Sequence, residues 1–432
     1  MSQIQDRDVS PKPGSERGSR TLEQWYRYFA RQNNHVDIAK WRNPRSWEGA
    51  SWTLILGWMW ADTWRFLSRC REVYSEVRAF GGVIRREYGV PRWRQVAQLC
   101  YLAFELGIPL KHYRGYQLFK PERWKRVDEF LYEQGTLQRE CIARSFPDEE
   151  SVLRDKLEFY RYCRSHDIPT PEVLAAFEEG RVVFPEDGAP QFPDQDLLVK
   201  ELRGGQGKGI KKYAFDEEGT WKREQSSRGP KALTEHFAQR SAEENGIIVQ
   251  PVVQNHDDWQ PFTSGALATV RIVTGRNNEG EITPIGAALR MPTGDAVVDN
   301  FSAGGIASPI DISTGRLGPA VTSVPREGRF EMDRHPDTGY LLAGSVLPEW
   351  DCLADVVMGV HSRFQSIFVG WDVAYTEEGF RVVEGNLHWG CRLMEAPSMT
   401  PLSETSYPQT YDAWMRKVVD AGSPWTIRRK SV

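Results

Sequence analysis

The pattern of hydrophobic and polar positions divides the chain into two unlike parts. From Thr21 to about Phe146, apolar residues recur every three or four positions, as in ADTWRFLSRCREVYSEVRAF and PRWRQVAQLCYLAFELG. This spacing places apolar side chains on one face of a helix, and Pro91 and Pro121 suit the first turns of helices. The pattern predicts a helical region over residues 21–146, preceded by a disordered polar tail over residues 1–20.

After Pro147 the pattern changes to short β-type runs that end in glycine turns. The runs are DLLVKEL, GIIVQPVV, LATVRIVT, ITPIGAALRM, IFVGWDVAY and FRVVEGN. The links GRNNEGE and TEEG are typical of hairpins, and helical segments lie between some of the runs. Strands joined mostly by hairpins predict an α+β fold rather than a doubly wound parallel sheet.

Charge and composition exclude some classes of function. The chain has 432 residues and a net charge of −4, which gives no electrostatic reason to expect nucleic acid as a partner. Its six cysteines lack metal-ligand spacing, and no run is apolar enough for a signal peptide or a membrane span. We therefore expect a cytoplasmic protein with reduced thiols, and the oligomeric state stays open.

Tryptophan is concentrated in the predicted helical region, which holds nine of the sixteen. The simplest interpretation is that these wide rings fill a small helical core. The alternative is an exposed aromatic surface that binds a partner or a membrane face.

A glycine-rich loop interrupts LLVKELRGGQGKGIKKY, residues 197–213. It is not a Walker A loop, because Gly209 follows Lys208, and its GxGxG spacing differs from the GxGxxG of dinucleotide folds. Its backbone N–H groups are suited to approach an anion closely while Lys200 projects from the strand. Taken alone, the loop fits a plain hairpin link equally well.

Two acids and an amide converge in GWDVAYTEEGFRVVEGN, residues 370–386. The TEEG turn brings Asp372 beside Glu384, and Asn386 lies two residues further along the same strand face. Carboxylate and amide oxygens are ligands that Mg²⁺ prefers, although a pair of surface acids is the simpler alternative. We expect neutralisation of either acid to stop turnover and leave the fold intact.

Arg271 and Arg290 stand inside apolar strands, and Asn300 follows in VVDNFSAGGI. A buried arginine is costly unless it faces an acid or an anionic substrate. A structural ion pair is the alternative for either one, but together with the glycine loop and the acids they favour an anion.

The order of these features resembles the ATP-grasp superfamily. Residues 151–400 are most similar to its sugar-transfer-associated family, in the segments IVQPVVQNH, LATVRIVT, AVVDNFSAGGIASPIDISTGRLGPAVT and FVGWDVA. The resemblance implies an ATP-grasp domain over residues 147–425, with a nucleotide-clamping lobe at about 170–255 and a metal and substrate lobe at about 256–400.

The resemblance also implies a role for each matching position. The phosphate-contacting lysines would be Lys156 and Lys200, and the loop closing over the phosphates would contain Gly204, Gly205, Gly207 and Gly209. The hinge beside adenine would be Gln250, Pro251, Val252 and Val253, with Asn255 or Asp257 near the ribose. The ligands of one or two Mg²⁺ (or Mn²⁺) ions would be Asp372, Glu384 and Asn386, and the residues meeting phosphate or substrate would be Arg271, Arg290 and Asn300.

The implied activity is an ATP-dependent carboxylate–amine ligase that works through an acylphosphate and releases ADP and phosphate. Its substrates would be ATP, a small carboxylate and an amine, in the biosynthesis of a specialised metabolite or a cell-surface polymer. A kinase acting on a hydroxyl and a nucleotide-gated interaction protein are the alternatives. Two departures from the family pattern are Gln250, where many relatives have an acid, and EGNLHWG, in which His388 and Trp389 are expected to shape the acceptor pocket.

Overall fold

The structure is a computed structural model that describes residues 52–132, 147–204, 209–277, 279–294, 301, 305–326 and 328–411. Along α1 the side chains are described from Phe66 onward, and within α5 those of 147, 148 and 150 lie outside the description. The tail predicted over residues 1–20 lies outside these ranges. Helices and antiparallel sheets share the described chain, which confirms the predicted α+β class.

The N-terminal part is helical, as the 3.6-residue periodicity predicts. Its helices are α1 (Trp52–Tyr88), α2 (Arg92–Cys100), a π-helical turn (Tyr101–Leu106), α3 (Lys111–Gly115) and α4 (Pro121–Trp124). Gly89, with φ of 67°, follows the end of α1, and Pro91 is the residue immediately before α2. Pro121 lies in the first turn of α4, where its missing N–H costs nothing.

Tyrosine and phenylalanine fill the described core of this region. Tyr113, Tyr116 and Phe119 are completely buried and pack with Leu99 and Leu102. In contrast, Trp93 is 73% exposed. The expectation that tryptophans fill this core is therefore wrong for Trp93.

The first sheet contains seven antiparallel strands in the order β2-β1-β7-β3-β4-β5-β6. The strands are β1 (Ala175–Glu178), β2 (Arg181–Phe184), β3 (Leu197–Glu201), β4 (Lys211–Phe215), β5 (Trp221–Arg223), β6 (Ser226–Arg228) and β7 (Ile247–Pro251). Two helices precede the sheet in the chain, α5 (Pro147–Arg154) and α6 (Lys156–Ser165), and α7 (Pro230–Glu243) packs its Leu233 and Phe237 against one face of it. On the opposite face, Leu157 of α6 packs with Ala176 and Ile248.

The second sheet is also antiparallel, in the order β12-β11-β10-β9-β8-β13-β14. The strands are β8 (Thr269–Arg276), β9 (Ile282–Met291), β10 (Ile306–Ile310), β11 (Ala320–Arg326), β12 (Arg329–Met332), β13 (Phe368–Thr376) and β14 (Gly379–Asn386). Helix α8 (Trp350–Ser362) covers one face, and α9 (Cys391–Ser398) covers the other. Both hairpins predicted from GRNNEGE and TEEG are present, as β8–β9 and β13–β14.

The helical region packs directly on the second sheet. Phe330 of β12 and Ala396 of α9 belong to the same apolar cluster as Tyr116. The carboxylate of Glu395, which is completely buried, accepts hydrogen bonds from the Tyr116 hydroxyl at 3.0 Å and from the Leu131 and Tyr132 N–H groups. This carboxylate therefore joins the helical region to the helix that follows β14.

Candidate active site

A cavity of about 340 Å³ opens beside β3 and β7. In β3 the side chains of Leu197 and Val199 are buried in the core, so those of Leu198 and Lys200 point to the other face and line the cavity. Strand β7 pairs with β3 so that Leu198 lies opposite Gln250. The cavity lining therefore contains Lys200 and all four predicted hinge residues, Gln250, Pro251, Val252 and Val253.

The hinge is partly engaged by the fold itself. The Val252 N–H donates to the Asp196 carbonyl at 2.9 Å, and the Gln250 amide donates to the Pro171 carbonyl at 3.4 Å. The side chain of Asn255 is buried and exchanges hydrogen bonds with both backbone groups of Ala268, at 2.8 and 3.0 Å. Asn255 therefore holds the chain in place, whereas Asp257 is exposed at the start of a short 3-10 helix.

The ends of the glycine loop lie against the carboxylate of Glu201. A Cβ on Gly204 would come within 2.7 Å of one carboxylate oxygen of Glu201, and a Cβ on Gly209 within 2.7 Å of the other. Gly209 also has φ of 76°, a conformation that side chains rarely adopt. Both positions therefore favour glycine, while Gly205 and Gly207 lie outside the described residues.

Lys156 reaches this loop from the start of α6. Asp155 caps the helix by accepting hydrogen bonds from the Leu157 and Glu158 N–H groups, which fixes the direction of the first turn. The Lys156 ammonium donates to the Gly204 carbonyl at 2.7 Å. Burial lowers the pKa of Lys156, and the nearby carboxylates, that of Glu384 first among them, oppose the shift.

A buried acid between two arginines lies at the centre of the second sheet. Antiparallel pairing places Arg271 opposite Asp372, and the guanidinium of Arg271 binds both carboxylate oxygens of Asp372 at 2.5 Å each. Arg290, on the next strand, binds one of these oxygens at 2.6 Å. Asp372 is only 3% exposed. Burial by itself raises the pKa of Asp372, but the two guanidinium groups outweigh it and hold the pKa well below its ordinary value.

Glu384 and Asn386 complete this cluster. Asp372 pairs with Glu384 in the β13–β14 register, as the hairpin predicts, and the Asn386 amide donates to Glu384 at 3.1 Å. The register shifts after Asp372, which leaves Val383 as an extra residue on β14. Val383 lines the cavity, and Glu384 follows it directly in the chain.

The donor set determines which of these residues suit a metal ion. The side chain of Glu384 is 35% exposed and stands beside the Asn386 amide, so a carboxylate and an amide oxygen are accessible together, as Mg²⁺ prefers. Both oxygens of Asp372 already accept hydrogen bonds from arginine. Among the described residues, no group of three or more His, Cys, Asp or Glu side chains has the geometry of a metal site. Glu384 and Asn386 therefore fit a metal better than Asp372 does.

The remaining predicted positions are Asn300, His388 and Trp389. Asn300 lies outside the described residues. Trp389 is completely buried and packs near Tyr407, and its carbonyl accepts a hydrogen bond from Arg271 at 3.1 Å. The expectation that the Trp389 ring shapes an acceptor pocket is thus wrong, whereas the His388 side chain is exposed.

Sequence reasoning missed several residues of this site. Leu198 and Val383 line the cavity, and Glu201 contacts the ends of the glycine loop. The two-residue alternation of β3 gave a usable signal for Leu198, because Lys200 lies on the same face. No local sequence pattern predicts the bulge at Val383.

Comparisons with known proteins support the fold. The model of the family described as sugar-transfer associated ATP-grasp matches residues 138–405. No curated protein matches the chain at a significant level. Within the described residues, none of the helices is both long and apolar enough to span a bilayer.

Several solved structures are similar at low identity. D-alanyl-alanine synthetase A from Vibrio cholerae is 13% identical, over 62% of this chain and 67% of that one, with a TM-score of 0.34. Biotin carboxylase from Campylobacter jejuni is 12% identical, over 61% and 47%, with a TM-score of 0.35. L-amino acid ligase from Bacillus licheniformis is 10% identical, over 55% and 41%, with a TM-score of 0.31.

This chain thus spans less than half of the carboxylase and of the amino acid ligase. At these identities and scores the likeness carries no argument about chemistry. The family match, in contrast, covers more than half of the 432 residues. The chain therefore belongs to the sugar-transfer-associated ATP-grasp family.

Proposed function

We propose that the protein is an ATP-dependent carboxylate–amine ligase. The observation that carries this proposal is a cavity lined by the hinge, Lys200 and Val383, the residue that precedes Glu384 in the chain. A nucleotide with its base in the cavity would direct its phosphates toward Lys200, Lys156 and the glycine loop. In the family, this arrangement serves ATP.

The lysines would neutralise the triphosphate of ATP. The Lys156 ammonium already binds the carbonyl of Gly204, so it links α6 to the glycine loop. With ATP bound, Lys156 and Lys200 would stabilise the negative charge that develops as the γ-phosphoryl group leaves. The loop would close over the phosphates and exclude water, because water would hydrolyse an activated carboxylate before an amine could attack.

Glu384 and Asn386 would hold Mg²⁺, which when bound screens the phosphate charge. Arg271 lies between the carboxylates of Asp372 and Glu384, with its guanidinium 3.7 Å from a Glu384 oxygen. The bidentate contact with Asp372 keeps the Arg271 guanidinium in a fixed plane. Arg271 and Arg290 would therefore present a preorganised positive charge to the carboxylate substrate and to its acylphosphate.

The proposed reaction transfers the γ-phosphoryl group of ATP to a substrate carboxylate. An amine then attacks the acylphosphate carbonyl, the C–N bond forms, and phosphate leaves with the electron pair of the C–O bond. Covalent activation takes place on the substrate, so the chain needs no nucleophilic residue. We place this reaction in the biosynthesis of a specialised metabolite or a cell-surface polymer.

A hydroxamate assay tests this proposal. Purified protein, ATP, Mg²⁺ and a panel of amino, sugar and dicarboxylic acids are incubated with hydroxylamine, and the nucleotide products are resolved. We expect hydroxamate and ADP in equal amounts with one class of acid, and neither product with Glu384→Gln.

Other product patterns would contradict the ligase. ADP with a phosphorylated hydroxyl and no hydroxamate would identify a kinase, and AMP would identify adenylation. ATP binding measured by calorimetry, with no turnover of any acid in the panel, would favour a nucleotide-gated interaction protein. The variant Lys200→Ala is expected to weaken ATP binding, and an unchanged affinity would remove the phosphate role of this lysine.

A further inference from the structure

The long helix α1 presents a continuous exposed stripe to solvent. Leu67, Arg71, Tyr74, Arg78, Gly82 and Arg85 recur at spacings of three and four and are all exposed. The opposite side of the helix carries Val73 and Ile84, which are buried in the helical core. We call these six exposed positions the arginine stripe.

The three arginines of the stripe have no ion-pair partner among the described residues, whereas the nearby acids do. Within the described part of α1, Glu72 pairs with Arg69, Glu76 with Arg114, and Glu87 with Arg86. The three acids described on α1 are thus each bound to an arginine outside the stripe. The stripe therefore carries a net positive charge in addition to its apolar side chains.

Helix α2 extends this surface. The guanidinium of Arg92 lies 3.7 Å from the point where a Cβ on Gly82 would stand, so the start of α2 borders the stripe. Trp93 and Val96 of α2 and Tyr74 of α1 are all exposed, Tyr74 by 63%. Exposed apolar and basic side chains therefore alternate at the start of α2, where Trp93 stands between the exposed Arg92 and Arg94.

Positive charge is also concentrated in the part of the chain that contains the arginine stripe. Residues 1–132 contain 23 basic and 14 acidic residues, a net charge of +9, whereas the remaining 300 contain 32 and 45, a net charge of −13. In sequence, α1 begins WTLILGWMWADTWR, with four tryptophans and one acid. Tryptophan is enriched where proteins meet the headgroups of a bilayer.

We propose that the arginine stripe and the start of α2 dock on the surface of an anionic phospholipid bilayer. The arginines would bind phosphate groups, and the side chains of Leu67, Tyr74 and Trp93 would enter the layer below the headgroups. The helix would lie in the plane of the interface and would not cross the membrane. Docked in this way, the candidate active site would lie close to an acceptor held in the membrane.

The charge pattern favours a bilayer over other occupants. A second copy of the chain would bring the same positive stripe, so the two faces would repel. A nucleic acid backbone would satisfy the arginines but would leave Leu67 and Val96 without an apolar layer. A protein partner would need acids at matching spacing, whereas anionic headgroups accept any spacing.

Vesicle sedimentation tests the proposal with the full-length protein. We expect it to bind phosphatidylcholine vesicles that contain phosphatidylglycerol, to bind pure phosphatidylcholine weakly, and to be released as salt is raised. The triple variant Arg71→Glu, Arg78→Glu, Arg85→Glu should lose about 100-fold in vesicle affinity, because each basic residue near the surface contributes about 1 kcal/mol. The control triple Arg164→Glu, Arg181→Glu, Lys231→Glu has the same change of charge at exposed positions of the second part of the chain and should bind normally.

A second variant separates the apolar contribution. Trp93→Ser and Tyr74→Ser together alter only exposed side chains, so the fold should be unaffected, but the binding that persists at high salt should fall. Equal binding by the two charge-reversed triples, or no binding of the wild type to anionic vesicles, would overturn the proposal. Tighter binding to duplex DNA than to vesicles would also overturn it. None of these measurements requires turnover, so their outcome is independent of the ligase proposal.

Discussion

Neutralising the two acids of the β13–β14 pair should separate stability from catalysis. Asp372 and Glu384 are partners in one register, yet Asp372 is 3% exposed and the side chain of Glu384 is 35% exposed. Asp372→Asn would remove the charge that balances Arg271 and Arg290. Glu384→Gln would remove a charge whose nearest arginine contact is 3.7 Å long.

The structure gives the magnitude of each effect. Breaking a buried ion pair from one side costs about 3–5 kcal/mol, because it leaves an uncompensated buried charge. Here two guanidinium groups lose the charge of their partner, while an asparagine oxygen in the place of Oδ2 still accepts two of the three hydrogen bonds, so we expect the lower figure, about 3 kcal/mol, for Asp372→Asn. For Glu384→Gln, which is partly solvated, we expect less than about 1 kcal/mol. The expectation that neutralising either acid spares the fold therefore holds only for Glu384.

Urea unfolding followed by circular dichroism measures both values, and the hydroxamate assay measures turnover on the same preparations. Both variants should lose turnover, but only Asp372→Asn should unfold at a clearly lower urea concentration. Equal unfolding free energies for the two variants would refute the view that Asp372 anchors the arginines. A destabilised Glu384→Gln would show that its contacts are stronger than the 3.7 Å separation suggests.

Three further predictions concern stability and nucleotide binding. In Gly370→Ala the new Cβ would overlap the Cβ of Trp389, so we expect a loss of about 2 kcal/mol in the unfolding free energy. The control Gly359→Ala adds its Cβ in open space on α8 and should be neutral or stabilising. Burial raises the pKa of Glu395 to about 7. The folded protein then keeps a proton that the unfolded chain releases. The unfolding free energy should therefore fall by about 3 kcal/mol as pH rises from about 4.5 to 7. Glu395→Gln should flatten this pH dependence in urea titrations. Removing divalent metal with EDTA should weaken ATP binding in calorimetry for the wild type but have little further effect on Glu384→Gln; equal losses in both would contradict the metal role of Glu384.

Local patterns in the sequence were enough to predict six of the described strands. Each of the six β-type runs became a strand, because short apolar runs bounded by turn residues suit strands that are covered on both faces. The TEEG turn was enough to place Asp372 beside Glu384. The two-residue spacing of Glu384 and Asn386 likewise predicted that both lie on one strand face, where they make contact.

Long-range pairing could not be predicted in the same way. The contacts of Asp372 with Arg271 and Arg290 depend on the registers of β13 with β8 and of β8 with β9, across about a hundred residues of chain. Tertiary contacts also overrode the expectation for the helical core. Tyrosines such as Tyr116 suit that core because their hydroxyl can reach the buried Glu395, whereas Trp93 lies on the surface.

The charge balance of the site indicates which groups are free to meet a substrate. Asp372 is already compensated by two guanidinium groups, so the pair of arginines and this acid together carry one net positive charge. Lys156 and Lys200 add two more, and Glu384 and Glu201 remove two, which leaves the cluster slightly positive before any ligand enters. A triphosphate brings more negative charge than this cluster can balance, so a cation held by Glu384 and Asn386 would supply the difference. Asp372 would then act on the substrate only through the arginines it orients, and Glu384 is the acid whose loss should be felt first in nucleotide binding.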